Sequence, residues 1–254
     1  MMPAPYPKHG PSMKALILAG GRGSRLDSLT DATNKCMLPL AGQPLLEYSL
    51  QNARAAGVDE VVLVVGHLAE QIINAYGNRY EGVPIRYVIQ WEQRGLVHAI
   101  ECARETLGSS DFMLFLADEV FIDPRHADMI ETFGAQDLCV LCGVVEVQER
   151  AQVSKTYAII CGDDDTIHRL IEKPPNPMNN TMGTGNCVFS NCIFEYIERT
   201  PINQQRGEKE LPDLIQCAID DGQPVKAFFI GSRYVNVNTP DEIGQAEEAL
   251  GRNA

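Results

Sequence analysis

The chain lacks any apolar run long enough to span a bilayer, and its N-terminus lacks the basic-then-apolar plan of a secretory signal. It is also short of positive charge: 21 Lys and Arg stand against 34 Asp and Glu, for a net charge of −13. That balance argues against broad binding to nucleic acid or anionic membranes, which requires a basic face. There is no internal repeat and no interior low-complexity tract. No Gly-x-Ser-x-Gly elbow is present, which disfavours a Ser-His-Asp hydrolase. The eight cysteines make neither a disulfide framework nor a zinc site on their spacing. Cys139 and Cys142 fall inside a strand-like run, and Cys187 and Cys192 are too widely spaced and too apolar in setting for a zinc knuckle. Free, mostly buried thiols in a cytoplasmic protein are the expectation.

What is present fits one soluble globular unit with a sizeable core: 254 residues, 44% hydrophobic and 22% charged. Residues 1–12, rich in Pro, read as a disordered extension, with the compact domain running over 13–250. Strand-like runs at 15–19, 60–65, 85–90 and 112–117 alternate with helical patterns at 44–56, 68–76, 96–106 and near 124–133. This β-α-β alternation predicts an α/β, Rossmann-like fold. Its mostly parallel sheet would carry helices on both faces and bind ligands at the carboxyl ends of its strands. From Asp137 strands dominate, at 138–147, 156–161, 166–171, 186–189, 225–230 and 234–237, with helices near Glu195, over 211–221 and over 241–250. The second half, 137–250, is therefore expected to add a small mixed β subdomain over the open end of the sheet formed by 13–136.

Residues 14–25, Lys-Ala-Leu-Ile-Leu-Ala-Gly-Gly-Arg-Gly-Ser-Arg, are the most informative stretch. A buried strand runs into a loop holding Gly20, Gly21 and Gly23, where backbone N–H groups can approach phosphate oxygens. Arg22 and Arg25 add fixed positive charge. The loop lacks the third glycine of a dinucleotide fingerprint and the Gly-Lys-Ser/Thr of a Walker loop. A tight turn with two solvated arginines is the plainer alternative.

Four further clusters fall where the predicted cleft lies. Lys35 precedes an apolar segment, and the run from Gln90 through Gly95 to Ala99 leads from a strand end into a helix. Asp118 and Glu119 close a strand, as does Glu172-Lys173-Pro174. The carboxylates at 118 and 119 either hold a metal or cap the helix near Pro124. Lys173 is either a site residue or a solvated strand-end charge. His98 reads as a packing or surface histidine rather than a catalytic base. Trp91 either stacks on a base or packs in a wall.

In register, Gly20-Gly21-x-Gly23-x-Arg25, Lys35-x3-Pro39, Gln90-x4-Gly95, Asp118, Glu172-Lys173-Pro174, Thr184-Gly185 and Asn236-x-x-Thr239-Pro240 resemble the sugar-phosphate nucleotidyltransferase family. The likeness runs in order from about residue 13 to about residue 250, and Gln-x-Glu-Gln-x-Gly-x-x-His-Ala is especially similar to the uridylyltransferase branch. The resemblance implies a GT-A-like nucleotidyltransferase fold. It also implies a reaction in which an NTP and a phosphorylated acceptor, most simply a sugar 1-phosphate, give NDP-acceptor and pyrophosphate.

By the same resemblance, Leu18, Ala19, Gly20, Gly21, Gly23 and Ser24 hold the nucleotide, whose base is read by Gln90 and Gly95. Arg25 holds the departing pyrophosphate, Lys35 the α-phosphate region and Lys173 the attacking phosphate. Tyr157, Glu172 and Gly185 face the acceptor, and Asp118 with Asn236 binds Mg²⁺. Three positions depart from the family pattern: Asn236 where Asp is frequent, Ala117 where Gly precedes the strand-end Asp, and Ala158 where many members have Gly after Tyr. A cytidylyltransferase acting on phosphocholine or a phosphonate, and a catalytically silent nucleotide-sensing subunit, stand as alternatives. A homo-oligomer is left open.

Overall fold

A computed structural model describes residues 13–23, 26, 30 and 32–251. The extension 1–12 and the loop residues Ser24 and Arg25 lie outside the described residues.

The first half follows the predicted alternation. Strands β1 (Met13–Ala19), β2 (Glu60–Val65), β3 (Val83–Ile89) and β4 (Asp111–Leu116) form the centre of a ten-stranded sheet. β1 lies between β2 and β4 and is parallel to both. A strand covered on both faces needs a nearly continuous apolar run, which Ala15 to Ala19 supplies. Alternation along the strand then sorts the core. Leu16, Val62 and Leu114 face helices α3 (Leu96–Cys102) and α6 (Leu211–Asp220). Ile17, Leu63 and Phe115 face α1 (Leu45–Ala55), α2 (Ala69–Tyr76) and α5 (His126–Gly134). Complete burial of Leu16 and Ile17 contributes about 1.5–3 kcal/mol each. The helix expected over 96–106 is broken at Ala103, whose N–H bonds the Ile100 carbonyl, before a single turn, α4 (Arg104–Leu107). No helix among the described residues is long and apolar enough to cross a membrane.

The second half continues the same sheet. It does so through β6 (Val140–Glu146), β7 (Tyr157–Cys161), β8 (Ile167–Glu172), β9 (Thr181–Phe189) and β10 (Val225–Phe229), whereas the short β5 (Glu119–Ile122) and β11 (Arg233–Asn236) pair antiparallel as a separate two-stranded ribbon. β9 is the joint: residues 187–189 pair antiparallel with β4, residues 182–183 with β7, and both ends with β6. The mixed β region is thus an extension of the parallel centre through β9. That strand starts five residues before the expected 186. Pairing on both edges holds Met182 and Gly183 extended, with an irregularity between Gly183 and Cys187. The predicted helix near Glu195 is a single 3-10 turn, Asn191–Glu195. The closing helix, α7 (Pro240–Gly251), packs Ala246 against Leu40, Leu45, Val120 and Val237.

Gly183 is where the extended segment needs the absence of a side chain. A Cβ there would lie 2.0 Å from Cε2 of the buried Tyr157 ring. Gly183→Ala is expected to cost about 2 kcal/mol by overpacking. A urea midpoint unchanged from wild type would show that the ring can move aside freely.

Candidate active site

Lys35 is placed by its own short turn. The 3-10 segment Lys35–Met37 is capped by the Asn34 side chain, which accepts from the Cys36 N–H at 2.8 Å. The Asn34 amide also donates to the His67 carbonyl at 2.6 Å, which ties the turn to the loop preceding α2. Lys35 itself is only 6% exposed. Its ammonium donates to Asp118 Oδ2 at 2.5 Å and to Asn238 Oδ1 at 2.9 Å. Asp118 sits between β4 and β5, and its carbonyl accepts from the Val237 N–H at 2.8 Å. That bond sets the end of β11 beside the carboxylate. Below the ammonium, burial pushes the Cys36 thiol up to about 12, so it stays protonated.

These groups form part of the wall of a cavity of about 420 Å³. Leu18, Ala19, Gly20, Gly21 and Gly23 line one side, and Gln90 and Gly95 another. Gly23 takes φ +65°, a left-handed conformation, and a Cβ on it would meet the Lys35 side chain at 3.0 Å. Gly20 accepts at its carbonyl from Gln93 Nε2 at 2.8 Å. Gly95 has φ +90°, and a Cβ there would lie 2.3 Å from Glu208 Oε2. The glycines therefore let the strand-end loops close on the cavity from both sides.

The remaining predicted residues divide. Lys173 and Asn236 line a second cavity of about 370 Å³, together with Lys155, Thr156 and Glu242. Asn238 belongs to both cavities and connects them, because its Nδ2 donates to Asn236 Oδ1. Lys173 takes φ +41° and pairs with Glu172. Tyr157 and Gly185 line neither cavity and serve as buried support. Tyr157 is 4% exposed and donates its hydroxyl to the Thr184 carbonyl at 2.7 Å. The Gly185 N–H donates to Glu119 Oε1 at 2.9 Å, and a Cβ there would collide with Leu116 at 2.2 Å. Glu172 likewise lines neither cavity and is held by Lys173 and by Arg206 Nη1 at 3.6 Å. Ser24 and Arg25 are outside the described residues.

Neither Asp118 nor Glu119 caps a helix: α5 begins at His126 with no side-chain cap bond. Glu119 is instead a buried acceptor, taking hydrogen bonds from Gly185, from Asn186 Nδ2 at 2.6 Å and from the Tyr234 hydroxyl at 2.7 Å. Burial, and then the charge of Asp118, raises its carboxyl to about 7. Trp91 is 85% exposed and lines a separate surface cavity with Arg22 and His67. All eight cysteines are free.

Among the residues of the first cavity that the sequence reading did not single out are Asn238, Arg206 and Glu208. Asn238 lies two residues beyond Asn236, and the period-2 alternation of a strand running on from Asn236 points to it. Arg206 and Glu208 come from a turn at the cavity rim, where Arg206 also pairs with Glu208 at 2.5 Å and Glu210 at 3.1 Å. In the sequence they stand in the mixed-charge run Arg206-Gly-Glu-Lys-Glu210, which carries no sign of a cavity rim.

The donors near Lys35 fit a hard divalent ion. Asp118 offers a carboxylate and Asn236 an amide carbonyl, both oxygen ligands. Oδ1 of Asp118 makes no hydrogen bond among the described residues, whereas Asn236 Oδ1 must first release Asn238. Among the described residues no group of three or more His, Cys, Asp or Glu is positioned to hold a metal. An ion here would therefore have to share its coordination with ligand oxygens.

Comparison with known proteins agrees with this arrangement. The nucleotidyl transferase family model matches residues 14–251. A low-salt glycan biosynthesis nucleotidyltransferase of Haloferax volcanii is 33% identical over 241 residues, spanning 94% of this chain and 66% of that protein. A UTP–glucose-1-phosphate uridylyltransferase of the same organism is 32% identical over 239 residues, spanning 94% of this chain and 96% of that protein. The fold matches that of UTP-bound UGPase from Acinetobacter baumannii with a TM-score of 0.82 at 22% identity, covering 95% of this chain and 94% of that one. A match over nearly the whole described length, with the strand-end glycines, Lys35 and Asp118 gathered in one cavity, places the chain in the nucleotidyl transferase family.

Proposed function

We propose that the chain transfers a nucleoside monophosphate from an NTP to a phosphorylated small acceptor, most simply a sugar 1-phosphate, and releases pyrophosphate. The observation that carries this reading is the Lys35 ammonium, buried at the cavity wall between Asp118 and Asn238 and facing the glycine loop. An acceptor phosphate oxygen attacks the α-phosphorus in line, forming one P–O bond as the bond to pyrophosphate breaks. No covalent enzyme intermediate is required, so catalysis rests on positioning and on neutralising charge.

The loop of Gly20, Gly21 and Gly23 brings backbone N–H groups to the triphosphate, and Lys35 stabilises charge at the α-phosphate. Arg206, at the rim and held by Glu172 and Glu208, would bind the acceptor phosphate. Lys173, beyond Asn238, adds positive potential on the acceptor side. Asp118 and Asn236 would hold Mg²⁺, which supplies further charge neutralisation on phosphate oxygens.

The test is pyrophosphate release with four NTPs against a panel of sugar 1-phosphates, with phosphocholine and phosphonates as rival acceptors. Release with a sugar 1-phosphate is expected. Asp118→Asn should lower turnover by roughly 10²-fold and raise the Mg²⁺ concentration needed for half-maximal rate. Release only with phosphocholine or a phosphonate would move the acceptor class. No release with any pair would favour a silent nucleotide-sensing role.

A further inference from the structure

We infer that His98 is a positioning residue for nucleotide selection: it fixes the carboxamide of Gln90 so that Oε1 alone faces the base. This rests on the proposed function, because it takes the first cavity to be the NTP site.

Gln90 is nearly buried at the end of β3, and its backbone N–H donates to the Val65 carbonyl at 2.8 Å. Its side-chain Nε2 has two partners, the Gly95 carbonyl at 3.2 Å and His98 Nδ1 at 3.0 Å. An amide nitrogen carries two hydrogens, so both are engaged within the protein. Oε1 points the other way, and a Cβ on Gly20 would lie 3.1 Å from it. The side chain thus offers the cavity an acceptor and no donor, and the base edge it reads must present an N–H.

This polarity depends on His98 accepting at Nδ1, which a neutral imidazole with its proton on Nε2 can do. Arg94 Nη2 stands 2.8 Å from Nε2 and can only donate, so it favours the opposite tautomer. The two arrangements differ in cost. With the proton on Nδ1, Gln90 would have to turn its oxygen toward the Gly95 carbonyl, setting two acceptors together in a nearly buried place. With the proton on Nε2, the conflict falls on Arg94, whose side chain is 65% exposed, already paired with Glu92 and able to swing away. The Nε2 proton then has the Cys102 sulfur 3.6 Å away as a weak acceptor. Burial, and then the Arg94 cation, lowers the His98 pKa and keeps the ring neutral, leaving the Nδ1 lone pair available.

The test is calorimetric titration of the full chain with UTP, dTTP, CTP, GTP and ATP in Mg²⁺, alongside steady-state kinetics. His98→Ala is expected to weaken the best NTP about tenfold and to narrow the spread among bases, with the loss in KM rather than kcat. His98→Asn, whose Oδ1 can stand near the Nδ1 position, should recover affinity to within about threefold. In a Gln90→Ala background His98→Ala should add less than about twofold, because the two residues act as one unit. An unchanged base preference in His98→Ala, or an equal loss with and without Gln90, would overturn the assignment while leaving the nucleotide site intact. If the wild type bound none of the five NTPs, the nucleotide reading of the cavity would fail, and the role of His98 with it.

Discussion

Lys35→Met is expected to lower turnover roughly 10³-fold with little effect on folding. Methionine keeps the length and apolar stem of the side chain but removes its charge. In the structure that charge is already fixed between Asp118 Oδ2 at 2.5 Å and Asn238 Oδ1 at 2.9 Å, so no reorganisation is needed as negative charge builds on the phosphates. Stabilisation by a preorganised, water-shielded cation is worth several kcal/mol in the transition state and much less in the ground state. The loss should therefore appear in kcat more than in the KM for NTP. Lys35→Arg should recover little, since a planar guanidinium cannot take the place of a compact ammonium held between these two oxygens. Turnover of Lys35→Met within tenfold of wild type would remove Lys35 from the chemistry.

The second large effect concerns stability and pH. His126 is buried against Phe115 and Phe121, with its Nε2 2.9 Å from Asn186 Oδ1. Burial lowers its pKa from 6.5 to about 4. Between those values the unfolded chain binds the proton that the folded chain refuses, so His126 makes stability rise with pH, by about 3 kcal/mol across the window. Asn186 turns its Nδ2 to Glu119, whose carboxyl is raised from 4.5 to about 7. There the folded chain retains the proton, and stability falls by a similar amount as pH rises from 4.5 to 7. The two slopes oppose each other, so in metal-free buffer the net contribution of this pair to wild-type stability is expected to vary little between pH 4.5 and 6.5. His126→Phe should expose the falling slope of Glu119, and Glu119→Gln the rising slope of His126. Urea unfolding of the three proteins at half-unit pH steps would decide it. Parallel profiles for all three would show that neither group titrates as its burial requires.

The layered α/β plan was legible because central parallel strands leave a plain trace: short apolar runs such as Ala15 to Ala19, spaced by helical periodicity. The long β9 was not legible. Its early start at Thr181 depends on distant groups: Tyr157 fills the space above Gly183, and Glu119 accepts the N–H of Gly185. The same contacts removed Tyr157 and Gly185 from the cavity walls, since a strand-end motif does not reveal which way its residues face.

The local order of residues decided the glycine loop after β1, the cation that follows it and the carboxylate closing β4, because each depends on a strand end and on neighbours within a few positions. Tertiary structure alone decided that Lys35 forms an ion pair with Asp118 and a hydrogen bond to Asn238, and so which carboxylate and which amide share its ammonium. Those choices depend on groups up to 203 residues apart in the chain, brought within hydrogen-bond distance by the packing of β5 against β11. The direction of a hydrogen bond between such groups follows from which donors and acceptors the fold leaves them, and no local pattern carries that information.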